Sequence, residues 1–321
     1  MQHNENLPSL KSWLLEQTDD GKKSDDKISI VVETPWSTVI KRQSKQRCYF
    51  LKQTPPGLFI EPDVINFIHK HIDNAPIPKV ISIHSKLCSF IMQSCGEYSL
   101  RTKFKGLLDE ALLSKGLINY IKIQRAIEHA WEEGITSGLP DWRIEHIPRR
   151  YGELLLQKEM LQEEGLSPDE ISQLFSLLPE IESQCNLISK QGIRATLVNC
   201  DFNENNMIFN EGTKDISIVD WGESVISHPF FSLAGHLNNM ARRYNLSLEG
   251  KELTTIKQAA LSHWSDVMSL DEASELYDNI QKLLPIYYAL AIFRLQAATD
   301  NKSKKMQNYF VSSCLRELLK Y

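Results

Sequence analysis

The chain has 321 residues, of which 42% are hydrophobic and 24% are charged, with 14 glycines and 13 prolines. This is the composition of an ordinary folded protein, so disordered, collagen-like and low-complexity classes are excluded. The length predicts about two domains or one large two-lobed unit. The formal net charge of −5 gives no general electrostatic footprint for nucleic acid or for anionic lipid. We therefore expect neither of them as a partner.

We expect no membrane-spanning segment and no secretory signal in this sequence. The longest wholly apolar run lies around 287–293, far short of the ~20 residues that span a bilayer. The N-terminus lacks the basic start and apolar run of a secretory signal. No CxxC pair occurs among the six cysteines, so neither a zinc site nor a disulfide framework is implied. We expect a cytoplasmic protein.

The first 95 residues alternate between β-branched runs and one helical pattern. Residues 9–17 predict a short amphipathic helix, followed by a charged connector to residue 27. A half-buried helix is predicted over 61–71. Strands are predicted at 28–33, 38–41, 48–52, 79–83 and 88–92, which gives a small antiparallel sheet with one helix.

Long helical patterns dominate the rest of the chain. One β interruption stands out, at 195–198, 207–209 and 216–219, with Gly212 in the turn between the last two runs. A hairpin embedded in helices usually displays functional groups. The helices are predicted at 107–135, 151–164, 169–191, 229–244, 252–268 and 271–298, the last with a risk of a kink at Pro285.

This order predicts an α+β, two-lobed chain in three parts. Residues 1–27 form an N-terminal helix and connector, and residues 28–95 form an N-lobe. Residues 96–321 form a mostly helical C-lobe with the embedded β-hairpin.

An acid- and amide-rich loop lies in this β interruption. Residues 199–206 read NCDFNENN, and the strand after the hairpin ends in Asp220. Asp201 and Asp220 are 19 residues apart, but a hairpin would bring them within reach of each other, with Asn206 at the base of the same turn. Hard oxygen ligands of this kind suit Mg²⁺. Turn chemistry is the alternative, because Asn and Asp are common in turns for their own backbone hydrogen bonds.

The loop and its flanks carry a family resemblance. LVNCDFNENNMIF followed by ISIVDWGESVISHPFFSLA resembles the aminoglycoside phosphotransferase and choline kinase superfamily. TPWSTVIKR, YFLKQTPP and the helix that begins at Glu61 resemble the N-lobe of that superfamily. The resemblance covers about 28–234 and is most similar to a bacterial branch whose members largely lack an assigned substrate. It implies a bilobal, protein-kinase-like fold in which the N-lobe over 28–95 binds nucleotide and the C-lobe over 96–321 has catalytic and acceptor-binding roles.

The resemblance also implies an activity, an ATP-dependent O-phosphotransferase acting on a hydroxyl of an aminoglycoside-, choline- or sugar-like molecule. ATP and Mg²⁺ are the implied cofactors. Asp201 is the implied catalytic base, while Asn206 and Asp220 hold the metal. Lys52 contacts the α and β phosphates, and Glu61 holds this lysine in place.

Fold analogy extends the nucleotide site to two further segments. Adenine is expected against the segment that contains Met92, Gln93 and Cys95. No GxGxxG precedes Lys52, and the turn there contains Ser37 instead. A hydroxyl at that position could donate to phosphate, although a plain β-turn is an equally good interpretation.

The sequence departs from the superfamily at several positions. The usual His that starts the catalytic motif is Asn199, which can still brace the loop by hydrogen bonds, so we expect activity to survive. The usual Gly is Cys200, for which no nucleophile pattern exists. His228 stands before Pro229 and is expected to cap or pack rather than act as a base. The acidic residues that often follow the metal strand are missing, which leaves the acceptor open.

Acidic residues of the tail could line a pocket for a cationic acceptor, although acids at helix starts are also what the helix dipole favours. Two other functions remain as alternatives. One is a catalytically silent, kinase-like nucleotide-binding module, and the other is a protein kinase, which the absence of HRD, DFG and APE segments weakens. The acceptor, the choice between ATP and GTP, and the oligomeric state stay open. The acidic residues named above for a cationic acceptor, with the aromatic residue that accompanies them, are Glu223, Trp264, Asp266, Asp271, Glu272, Glu275 and Asp278.

Overall fold

A computed structural model describes residues 7–18, 26–44, 47–299 and 310–320. The N-terminal lobe is a five-stranded antiparallel sheet in the order β1-β2-β3-β5-β4. All five predicted strands are confirmed, with ends that differ by one or two residues. The strands are β1 (Lys27–Thr34), β2 (Ser37–Gln43), β3 (Cys48–Gln53), β4 (Val80–His84) and β5 (Ser89–Gln93).

Two helices cover this sheet. Helix α1 (Leu7–Gln17) buries Leu10 and Leu14 completely in a cluster with Leu51. Helix α2 (Glu61–His71) buries Val64, Ile65 and Ile68 in the main core. Both helices are confirmed, whereas the predicted connector at 18–27 lies mostly outside the described residues. Each fully buried aliphatic side chain stabilises the fold by about 2 kcal/mol.

The alternation of β3 decides where its lysine lies. Successive strand residues point to opposite faces of a sheet, so Leu51 and Lys52 separate. Leu51 packs in the α1 cluster, while Lys52 bonds Glu61, the first residue of α2. Pro62 follows in the first turn, where its missing N–H costs no helical bond and its fixed φ suits the helix.

The C-terminal lobe is mostly helical, as predicted. No helix in the described ranges combines the length and the hydrophobicity of a bilayer-spanning segment. The helices are α3 (Leu100–Phe104), α4 (Glu110–Ile127), α5 (Trp131–Thr136), α6 (Ile147–Leu155), α7 (Lys158–Glu163), α8 (Pro168–Ser176), α9 (Leu178–Ser189), α10 (Phe230–Tyr244), α11 (Lys251–Leu261), α12 (Leu270–Ala298) and α13 (Val311–Leu318).

Three predicted helices are each divided in two. The pattern over 169–191 forms α8 and α9, because Pro179 in the first turn of α9 has no N–H to continue the α8 ladder. The patterns over 107–135 and 151–164 also divide, into α4 with α5 and α6 with α7. Apolar periodicity continues through such a break because each half still packs against the same core. By contrast, α12 continues through Pro285.

Two small sheets carry the acid- and amide-rich loop. The predicted hairpin is confirmed as β9 (Met207–Phe209) and β10 (Ile216–Ile218). The run at 195–198 forms β8 (Thr196–Asn199), which pairs with β11 (Ser224–Ser227), a strand that the sequence reading missed. The short strands β6 (Tyr98–Ser99) and β7 (Asp141–Trp142) complete the orders β10-β9-β6 and β7-β11-β8. The C-terminal ends of β8 and β10 lie close together, since Asn199 at the end of β8 donates to the carbonyl oxygen of Asp220, which follows β10.

Candidate active site

A cleft of about 320 Å³ lies between the N-terminal sheet and the loops that follow β8 and β10 in the C-lobe. Residues of both lobes line it, among them Leu295 of α12. Every residue that the sequence singled out for catalysis, nucleotide or metal lies on this cleft. They are Ser37, Lys52, Glu61, Met92, Gln93, Cys95, Asp201, Asn206 and Asp220.

Lys52 joins the two lobes at the inner end of the cleft. Its Nζ lies 2.5 Å from Glu61 Oε2 and also contacts Asp220 Oδ1, 168 residues away in the chain. Glu61 is 1% exposed, and its other carboxylate oxygen accepts the backbone N–H of Trp221 at 3.0 Å. One buried carboxylate thus fixes both the lysine and the segment that carries Asp220.

Burial and charge act in opposite directions on this group. Burial by itself would lower the pKa of Lys52, but the negative charges of Asp220 and Glu61 outweigh it and raise that pKa above its ordinary value. Burial raises the pKa of the Glu61 carboxyl, against the opposing effect of Lys52. The lysine therefore remains a fixed positive charge facing the cleft.

Asp201 lies at the base of the cleft and is oriented by two amides. Asn203 Nδ2 donates to its Oδ1 at 2.9 Å, and Asn206 Nδ2 donates to its Oδ2 at 3.2 Å. Both amides also donate to the backbone carbonyl of residue 201, at 2.8 and 2.9 Å. Desolvation by the surrounding protein is the larger effect that raises the pKa of Asp201, and the negative charge of Asp220 is the second; together they raise it to about 6. The side chain nevertheless opens to the cleft.

Asn199 braces both acidic segments from beneath. Its Nδ2 donates to the carbonyl oxygen of Asp220 at 2.7 Å, and its Oδ1 accepts the N–H of Asp201 at 2.9 Å. Asp220 has a φ of +63°, a left-handed conformation that costs a residue with a side chain about 1 kcal/mol. The hydrogen bond from Asn199 holds this conformation, which is the bracing role expected where the superfamily has His.

We expect Asn199→Ala to slow phosphoryl transfer more than it weakens nucleotide binding. The change leaves two partly buried polar groups, the carbonyl of Asp220 and the N–H of Asp201, without partners, so the free energy of unfolding should fall by about 1–3 kcal/mol. Asn119→Ala is the matched control, since its amide bonds the carbonyl of Ile216 at 2.8 Å on the hairpin. Equal rate losses in the two variants, measured beside urea unfolding, would remove the bracing role.

The sequence reading missed the supports beneath this loop. Tyr120 stacks on Phe202 at 3.7 Å between ring centroids, and its hydroxyl accepts the N–H of Asn199 at 2.8 Å. Glu204 is fully buried and pairs with Arg101 at 2.7 Å and with Arg243 at 3.1 Å. Tyr120, Arg101 and Arg243 come from three separate helices, so no local motif predicts that they support the loop.

One end of the cleft is lined by the segment that joins the two lobes. Met92 and Gln93 end β5, and Cys95 follows before Gly96, where the chain passes from one lobe to the other. A Cβ at Gly96 would lie 2.4 Å from the carbonyl oxygen of Phe209, so only glycine fits this approach. The buried hydroxyl of Ser37 has no hydrogen-bond partner in the described part of the chain, which leaves it available to a ligand.

Two of the acids named for an acceptor have partners away from the cleft. Asp266 pairs with Arg125, and Glu272 caps the start of α12 through Ser269. Trp264 is buried and donates to Glu128 at 2.9 Å. Among the acids named for an acceptor, Glu223 lies on the cleft. The surrounding protein and the charges of Asp201 and Asp220 raise the pKa of Glu223 to about 8.

Two residues beside the loop have structural surroundings. Cys200 donates to the Tyr287 hydroxyl at 3.2 Å, and burial raises the pKa of its thiol to about 12, which disfavours a thiolate nucleophile. His228 is buried, and its Nδ1 accepts the N–H of Phe230 at the start of α10. It caps and packs, as expected.

Because His228 is buried, we predict that the free energy of unfolding falls in mild acid. Burial lowers the pKa of its imidazole to about 3, whereas an unfolded chain binds the proton near 6.5. The contribution of His228 to the free energy of unfolding is therefore fully present above pH 6.5. It decreases as the pH drops toward 3, by about 2 kcal/mol at pH 5. Urea unfolding of His228→Asn should show a shallower acid dependence than wild type. The exposed His129→Asn is the control, and identical slopes in all three proteins would contradict the prediction.

Asn206 and Asp220 present oxygen atoms that fit a hard cation. Asn206 Nδ2 donates to Asp201, and no described residue donates to Asn206 Oδ1. Asp220 Oδ2 is likewise without a partner there, and the side chain is 42% exposed. No cluster of three His, Cys, Asp or Glu side chains suited to a metal occurs in the described ranges. The pair would therefore fill part of a Mg²⁺ shell, with phosphate oxygens and water filling the rest.

Comparisons with known proteins give consistent results. The sequence profile of the Phosphotransferase enzyme family matches residues 33–264. The fold is similar to that of Plasmodium vivax ethanolamine kinase, with a TM-score of 0.66, 16% identity and coverage of 100% of this chain and 89% of that one.

Two further solved structures share the fold. A macrolide 2′-phosphotransferase from Brachybacterium faecium has a TM-score of 0.61 at 12% identity, with 96% of this chain and 98% of that one covered. An amicoumacin kinase bound to AMP-PNP and Ca²⁺ has a TM-score of 0.60 at 11% identity, with 100% and 96% covered. No curated protein matches the sequence.

Proposed function

Because the chain belongs to the phosphotransferase enzyme family, we propose that it transfers the γ-phosphoryl group of ATP to a hydroxyl of a small molecule. The family match spans β2 to α11 and so includes both sides of the cleft. Proteins of the same fold act on ethanolamine and on macrolides. The reaction class is thus a kinase with an alcohol acceptor.

One observation carries this proposal, the arrangement of charge across the cleft. Lys52 contacts Asp220 from the opposite lobe, and Asp201 and Asn206 lie on the same cleft. Phosphoryl transfer does not require the protein to form covalent bonds to the substrates. It requires that the protein position them and that the charge of the phosphates be neutralised. Lys52 supplies one fixed positive charge, and the oxygen atoms of Asn206 and Asp220 would hold a divalent cation that supplies the rest.

We assign the steps to the side chains as follows. Lys52 binds the α and β phosphate oxygens, and Glu61 prevents it from moving away. Asn206 and Asp220 are the residues that would hold Mg²⁺, which would supply positive charge to the phosphates. Asp201 orients the acceptor hydroxyl and accepts its proton as the new P–O bond forms, while the bond between the γ phosphorus and the β–γ bridging oxygen breaks and ADP leaves. Asn203 and Asn206 keep both oxygens of Asp201 in place.

The proposal is tested by ADP release in the presence of ATP, Mg²⁺ and a panel of hydroxylated compounds. The panel contains aminoglycosides, macrolides, amino alcohols, sugars and hydroxy acids. We expect one class to raise ADP release well above the rate without acceptor and to yield a phosphorylated product by mass spectrometry. A catalytically silent module would show a thermal shift with ATP but no ADP release with any compound. The absence of both would contradict nucleotide binding itself.

A further inference from the structure

Two buried hydroxyl groups of the N-terminal sheet have no hydrogen-bond partner in the described part of the chain. They belong to Ser37, the first residue of β2, and to Thr54, which directly follows β3. The two residues are 8% and 6% exposed, and both line the cleft. A buried hydroxyl without a partner is unfavourable, so a ligand that brings a hydrogen-bond acceptor to it is stabilised.

The register of β2 and β3 places these two residues side by side. Thr38 pairs with Gln53, and Ser37 and Thr54 are the next residues outward on the two chains. Directly opposite residues of an antiparallel pair have Cβ atoms about 5 Å apart and point to the same face of the sheet. We call Ser37 and Thr54 the hydroxyl pair.

The hydroxyl pair lies on the same face of the sheet as Lys52. Val39 pairs with Lys52, and side chains two residues apart along a strand share a face. Val39 and Lys52 line the cleft together with the hydroxyl pair, whereas Thr38 and Gln53 do not. The hydroxyl pair is therefore about 7 Å beyond Lys52 along the sheet.

The direction of this step decides which part of a nucleotide the hydroxyl pair would meet. The segment that joins the lobes is beside the start of β3, because the N–H of Ser94 donates to the carbonyl of Cys48 at 3.0 Å. With the base at that segment and the α and β phosphates at Lys52, the γ phosphate comes next in the same direction. That direction leads to the hydroxyl pair, on a cleft that Asp201 also lines.

The backbone of each residue is fixed, but its hydroxyl can turn. The N–H of Thr54 donates to the carbonyl of Cys88 at 3.1 Å, and the carbonyl of Ser37 accepts the hydroxyl of Thr34 at 3.2 Å. Rotation between staggered positions about one side-chain bond redirects each hydroxyl without moving the strand. The hydroxyl pair can therefore turn toward a phosphate oxygen, and no hydrogen bond to a described residue is lost.

We propose that Ser37 and Thr54 donate hydrogen bonds to the γ-phosphoryl group of the nucleotide, so that the cleft distinguishes ATP from ADP. The inference rests on the proposed function and adds Thr54 to its binding residues. Each hydroxyl has one proton to donate, and the oxygens of a phosphoryl group are strong acceptors. ADP lacks the γ phosphate and leaves both hydroxyls without a partner, so the product dissociates more readily than ATP.

The test compares the dissociation constants of AMP-PNP and ADP, each with Mg²⁺, by calorimetry on the full chain. Thr54→Val keeps the shape of the side chain and removes its hydroxyl. We expect this variant to bind AMP-PNP about tenfold more weakly and ADP as wild type does, since a hydrogen bond to a charged group contributes roughly a factor of ten. Ser37→Ala should give the same pattern, and Thr54→Ser should bind AMP-PNP as wild type does.

Stability distinguishes a ligand contact from a structural role. Urea unfolding of Thr54→Val should give a free energy equal to or above that of wild type, because the lost hydroxyl has no partner among the described residues. Thr38→Val is the matched control, since this threonine neighbours Ser37 on β2 but does not line the cleft. It should leave both dissociation constants unchanged.

The outcomes separate the two proposals. Unchanged affinity for AMP-PNP in Thr54→Val, or equal losses for AMP-PNP and ADP, overturns the role of the hydroxyl pair. An equal loss in Thr38→Val overturns it as well. In each of these cases phosphoryl transfer by wild type still supports the proposed function. If the ratio of the two constants changes as expected but no compound of the panel is phosphorylated, the hydroxyl pair stands and the transfer to a small molecule fails.

Discussion

Asp201→Ala is expected to lower the turnover of phosphoryl transfer by roughly 10³-fold and to leave nucleotide affinity nearly unchanged. The substitution removes the proton acceptor, but not the groups that hold the nucleotide. Alanine is preferred to asparagine because both oxygens of Asp201 accept hydrogen bonds from amides, and an amide NH₂ would face one of those donors. Asn206 keeps its second bond, to the carbonyl of residue 201 at 2.9 Å.

The matched control is Asp215→Ala on the hairpin that follows the loop, where the side chain is 71% exposed and outside the cleft. It should leave both turnover and affinity unchanged. Turnover is measured by ADP release with saturating acceptor, and affinity by titration with AMP-PNP and Mg²⁺. Wild-type turnover in the Asp201 variant would exclude Asp201 as the base.

Lys52→Met should have two separable effects, a loss of stability and a loss of nucleotide binding. Methionine fills the apolar path of the lysine stem but leaves Glu61 buried with one hydrogen bond, from the N–H of Trp221. Removing one member of a buried ion pair costs about 3–5 kcal/mol. We expect urea unfolding to show a loss near the lower end, since Asp220 keeps access to water.

The double variant Lys52→Met, Glu61→Gln distinguishes the two effects. Neutralising Glu61 should recover most of the free energy of unfolding, because no buried charge is then left unpaired. Nucleotide affinity should not recover, since the phosphates still lack their cation. Recovery of both quantities would show that Lys52 acts through the fold alone.

The local parts of this site could be predicted from the sequence, because short patterns determine them. The helix at 61–71 matches its predicted bounds, since Pro62 and the acids of the first turn mark its start. Alternation along β3 places Lys52 on the face opposite Leu51. The roles of Asp201, Asn206 and Asp220 came from the family resemblance and remain a proposal, whereas their common cleft is a structural observation.

The long-range parts could not be predicted in this way. Tyr120 of α4 and Arg294 of α12 reach the loop from helices distant in sequence, and their own segments contain only ordinary helical periodicity. Strand β11 was missed because its four residues are all buried and show no alternation. Periodicity records which face is buried, not which partner covers it.

The central claim is most directly tested by electron paramagnetic resonance of Mn²⁺ titrated in place of Mg²⁺, with and without AMP-PNP. We predict tight binding of one Mn²⁺ in wild type only when the nucleotide is present, and a strong loss of that binding in Asp220→Asn, but not in Asp215→Asn. Equal Mn²⁺ affinity in wild type and Asp220→Asn, both with nucleotide, would contradict the account.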